Sequence, residues 1–172
     1  MQLREDIQLQ TAIRALSEVV MPAVDAANAL AVEQLQVVIG MLSLMAARLP
    51  LQFRYDCDEL ARLIEFAQAL ENCGGSASAL RDARERGADV AARAQAEPQE
   101  VLLALRALRE TSGALITALY RDGNDDQRAA LTRVVLAHAD QQLLRERAWV
   151  LPQGWEAQPE SLPAIETLLG KR

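Results

Sequence analysis

Residues 98–121 read PQEVLLALRALRETSGALITALYR, and the apolar spacing in this stretch decides the fold class. Val101, Leu105, Leu108, Leu115 and Leu119 recur at alternating steps of four and three, with Ser112 as one polar step. That spacing keeps them on one face of a helix, as in the seam of a helical bundle. Pro98 suits the first turn, where its missing N–H is not needed. A helix with one such seam must bury it against other helices, so the reading starts from an all-α bundle.

The flanking sequence extends the pattern in both directions. Asp122-Gly123-Asn124-Asp125 predicts a turn and a cap, followed by a helix over about 126–148 with Leu131, Val134, Val135 and Leu136 at its core end. Residues 149–161 carry both tryptophans, Trp149 and Trp155, among Pro152, Gly154 and Pro159. They are expected to form a loop that packs its aromatics on the bundle. Ser161-Leu162-Pro163 opens a short last helix ending near Leu169.

Upstream, a helix over 77–96 has only Leu80, Ala83, Gly87, Val90 and Ala94 on its inner stripe. It buries little apolar volume and is expected to be peripheral and mobile. Arg81–Glu85, Asp82–Arg86 and Asp89–Arg93 have the i,i+4 spacing of ion pairs, each worth about 0.2–0.5 kcal/mol. The helix before it runs from a cap at Asp56 or Asp58 to Gly74-Gly75, with Leu60, Leu63, Ile64, Ala67 and Leu70 inward. The first helix covers about 2–20, with Leu9, Ile13, Leu16 and Val20 on one face, and Pro22 interrupts it. The second runs on to Arg48, where Pro50 closes it.

That second helix is unusual. From Leu35 to Ala47 (LQVVIGMLSLMAA) it is apolar on nearly every face. Such a helix is either central in a bundle or covered on one face by another chain. Gly40 would permit a close helix crossing, and Met41 and Met45 can fill irregular gaps. Asp25, Asn28 and Glu33 mark its wet side, or else need buried partners.

Composition agrees with a helical protein and excludes several functions. Alanine and leucine supply 31 and 27 of the 172 residues, a tilt toward helix. The net charge of -6 and dispersed basic residues argue against nucleic-acid binding, which needs a basic face. No helix-turn-helix pattern lies beside a basic recognition helix. Arginine outnumbers lysine 17 to 1, which reads as the coding bias of a GC-rich bacterial genome. The start, MQLREDIQLQ, lacks a signal-peptide pattern, and Val37–Leu49 is shorter than the ~20 residues of a membrane span. The expectation is a cytoplasmic protein with no membrane contact. Cys57 and Cys73 sit sixteen residues apart on one helix, about 24 Å along its axis, beyond the ~7 Å reach of a disulfide. Two cysteines and one histidine are too few for a structural zinc site, so no metal or other cofactor is expected.

Few residues carry chemistry. His138, the only histidine, is the one candidate proton shuttle near neutral pH, or a half-buried structural residue. There is no Glu-x-x-His pair for a di-iron bundle and no Gly-x-Ser-x-Gly elbow. Asp122, Asn124 and Asp126 begin like a calcium loop, but Gln127 and Arg133 occupy the positions that need glycine and glutamate. Gly74-Gly75-Ser76 could hold an anion at a helix start with Arg81 and Arg84 behind it, or simply terminate a helix. Arg54, Tyr55, Asp56 and Asp58 could line a pocket or cap a helix.

The stretch EVVMPAVDAANALAVEQL, residues 18–35, resembles the corresponding part of an uncharacterised all-helical bacterial family. Its members are often encoded beside acyl-CoA dehydrogenases and aminoglycoside-phosphotransferase-like proteins. The resemblance implies an accessory role and transfers no residue roles.

The sequence therefore predicts a single all-α domain over 1–172, a bundle of five to six main helices plus a short C-terminal helix. The function expected is a non-catalytic helical binding or assembly protein, accessory to a metabolic enzyme and homodimeric. The alternative is a binding protein or enzyme for an acyl or phosphate-bearing small molecule. Its pocket in the bundle would draw on Met41, Met45, Trp149 and His138, or on Arg81 and Arg84.

Overall fold

The computed structural model describes residues 4–93 and 95–169. Among them every regular element is a helix: α1 Glu5–Ala15, α2 Met21–Ala23, α3 Ala29–Arg48, α4 Gln52–Glu71, α5 Ser78–Ala92, α6 Pro98–Asp122, α7 Asp125–Val150 and α8 Ile165–Leu168. The chain is all-α, with six helices of eleven residues or more among those described and a short α8 near the C-terminal end. Its contacts form two compact units, Met1–Gln52 with Glu146–Ile165, and Phe53–Arg145 with Glu166–Arg172.

The second unit holds the apolar core. Leu60, Leu63, Ala67 and Leu70 of α4, Leu80 and Ala83 of α5, and Leu131 of α7 close around α6. All six seam positions of α6, Ser112 included, are buried as their spacing predicts. Glu97 and Glu100 form a reciprocal capping box that fixes where α6 starts. Asn124 and Gln127 do the same for α7, each side chain accepting from the other's backbone N–H at 2.9 and 3.0 Å. Gly87 lets α5 lie close, because a Cβ there would meet Leu108 Cδ1 at 3.2 Å and Leu60 Cδ1 at 3.5 Å.

Three sequence expectations are corrected in this unit. Asp56 and Asp58 do not cap α4, which starts earlier at Gln52 after a 3-10 turn over Leu49–Leu51. Pro50 is accommodated in that turn. Arg81 and Arg84 of α5, and Arg93 just after it, pair with residues outside α5: Arg84 and Arg81 donate to Glu71 at 2.7 and 3.4 Å, and Arg93 to Glu100 at 2.8 Å. Glu71 is the better partner because it is nearly buried and takes both guanidiniums. Leu136 is 58% exposed, since α7 turns Leu131 and Val134 inward and Leu136 falls on the opposite face. Ala94 of the expected α5 stripe lies outside the described residues.

In the first unit α1 packs against α3. Leu9, Ile13 and Leu16 form the half-buried stripe predicted, but Val20 is exposed and Met21 takes its place. A π turn over Leu16–Val20 explains this, with the Met21 N–H bonded to the Leu16 carbonyl five residues back. The extra residue rotates the following chain by one position. It sits just before Pro22, whose ring would crowd the carbonyl of a regular helix. The helix breaks instead at Val24, which is extended. Asp25 then accepts from the Ala27 N–H at 2.9 Å, and Asn28 caps α3 through the Ala31 N–H at 3.1 Å. These two are turn and cap residues, and Glu33 is exposed on α3.

Residues 149–161 are less of a loop than expected. Trp149 and Val150 finish α7, and 3-10 turns occupy Leu151–Gln153 and Pro159–Ser161. Gly154 takes the left-handed conformation, φ 73°, that reverses the chain after the first turn. Only Trp149 is covered; Trp155 is 77% exposed, which corrects the expectation that both aromatics pack down.

Candidate functional site

Two features stand out, one in each unit. The first is the surface of α3. No residue of this 20-residue helix is buried, although the run beginning at Ala29 is long and apolar enough by composition to cross a membrane. Val32, Leu35, Ile39, Leu42 and Ala46 repeat at steps of three and four and are half-buried or nearly so. That is the covered face of a helix that packs against α1 and against the 3-10 turn at Leu151–Gln153. A second apolar stripe, Leu30, Val37, Val38, Met41 and Met45, continues into Leu49, and all six are exposed. At 3.6 residues per turn these positions cover about a third of the helix circumference. The central-helix reading of this segment is thereby corrected: within the described chain it has one neighbouring face filled and another open. Exposed apolar patches of this kind mark contact surfaces.

The second feature is a polar layer in the second unit. Phe66 stacks on His138 with ring centroids 4.0 Å apart and planes 13° from parallel. Arg62 reaches Gln141 at 3.2 Å, and Asp58 lies 2.9 Å from Arg145. As α4 descends from 66 to 58, α7 ascends from 138 to 145, so the two run antiparallel. Leu131, His138 and Arg145 are one heptad apart, and the inward stripe of α7 turns from apolar to polar along its length. Arg145 is 1% exposed, donates to Gln142 Oε1 at 2.9 Å, and holds its guanidinium 4.5 Å over the Tyr55 ring. Asp58 also accepts from Arg62 Nε at 2.8 Å. Buried Glu59 accepts from Arg109 at 2.5 Å. Every carboxylate named here faces a guanidinium, which suits a fixed ionic layer better than proton transfer. Burial pushes the His138 pKa down, partly offset by Glu59 and reinforced by Arg145 and Arg62. The ring is therefore neutral near pH 7.

The residues singled out from sequence separate between these features. Met41 and Met45 are 55% and 57% exposed on the α3 stripe. Trp149 lies 5.3 Å under the Arg48 guanidinium, and Arg48 donates to the carbonyls of Trp149 and Ala148 at 2.8 and 3.0 Å. These are terminal carbonyls of α7, which a helix leaves without partners of its own. His138 belongs to the polar layer. Arg81 and Arg84 are held by Glu71, and Gly74 and Gly75 have φ of 93° and 90°, a left-handed turn after α4. The geometry there is that of a helix terminator with its arginines engaged. Sequence reasoning missed Arg145 and the Asp58 pairing. The available signal was an arginine at the heptad position that Leu131 and His138 define.

Among the described residues no group of three or more histidine, cysteine, aspartate or glutamate side chains is arranged to hold a metal ion. No protein-family model, curated protein or solved structure matches the chain.

Proposed function

We propose that this chain is a non-catalytic helical binding and assembly protein that works as a homodimer in the cytoplasm. The observation that carries the reading is α3, a largely apolar helix with no buried residue, whose open stripe of five large side chains continues into Leu49. Leaving such a stripe in water forfeits the transfer free energy of its side chains, about 1.5–3 kcal/mol for each one fully buried. A protein contact recovers it. The resemblance of residues 18–35 to the helical family noted above supports an accessory role beside a metabolic enzyme. The polar layer, with its paired charges and stacked neutral histidine, supports a structural rather than a chemical part for the second unit.

Native mass spectrometry of protein purified from its own host tests this reading. The expected species is a multiple of the 18.9 kDa chain, without a stoichiometric small molecule. A monomer that retains one acyl or phosphate-bearing molecule per chain would overturn it in favour of a ligand-binding protein.

A further inference from the structure

We draw no further inference here: the strongest candidate, the exposed apolar stripe of α3 from Leu30 to Met45, carries nothing beyond the assembly reading because nothing in the structure shows what covers it.

Discussion

Asp58 of α4 and Arg145 of α7 meet at 2.9 Å, the guanidinium 1% exposed and the carboxylate shared with Arg62. The pair fastens two antiparallel helices where the core stripe of α7 has turned polar. A charge this deep is tolerable only while its partner is present.

Asp58→Ala should therefore cost about 3–5 kcal/mol of stability, because it strands Arg145 in the interior. Adding Arg145→Met removes the stranded charge and should recover most of that loss. Urea titrations of the single and double variants check this. Equal destabilisation in both would mean that the pair's value lies in side-chain packing rather than in charge.

The seam of α6 makes a more ordinary prediction. Leu108 is fully buried and Leu63 of α4 nearly so. Replacing either with alanine should cost about 2–5 kcal/mol, the range for emptying a leucine site in a packed core. A loss too small to shift the denaturation midpoint would show that the cluster around α6 is loosely packed.

His138 gives stability a pH dependence whose sign follows from its shift. Its folded pKa lies below the ordinary 6.5, so the unfolded chain takes up the proton first as pH falls. The contribution is whole above that value and is lost as pH drops through it toward the folded pKa. His138→Phe preserves the stack on Phe66 and removes the titration. The variant should lose less stability than the wild type between neutral pH and pH ~5.5, the window just below a normal histidine pKa. Identical pH profiles in urea would assign the slope to other groups.

The thiols offer a chemical readout of α4. Cys57 and Cys73 are both free. Burial raises the Cys73 pKa, and nearby Arg133 lowers it by less. In native protein Cys73 should react slowly with a disulfide reagent, as a buried thiol holds little thiolate. Unfolding without reductant should release two thiols per chain; a mapped bridge between them would contradict the length of α4, which carries Cys57 in its second turn and ends two residues before Cys73.

How much of this was legible beforehand depended on how each position is decided. Val101 through Leu119 were readable because seam positions answer to periodicity alone. Gly74 and Gly75 were readable because left-handed turns favour glycine. Asp56 and Asp58 were misplaced as caps because a carboxylate before an apolar run also fits a buried ion pair, and only the arriving arginine distinguishes them. Leu136 looked like core because α7 is apolar on two faces, and spacing does not say which faces inward. Met41 and Met45 could be named but not placed: sequence shows that α3 is apolar, while only the packed chain shows which flank stays open.

The wide turn at Leu16–Val20 has a consequence for the gene as well as the fold. It stores one surplus codon beside the proline that makes it useful. Deleting Ser17 alone would draw Met21 into ordinary helical succession behind Leu16 and press the Pro22 ring onto a backbone carbonyl. Substituting Pro22 alone would leave a bulge with nothing to accommodate. Together the two changes restore an uninterrupted helix that still turns Leu9, Ile13, Leu16 and the methionine toward α3. An insertion and a proline that look unrelated in the sequence thus form a compensating pair, and homologous chains should gain or lose them jointly.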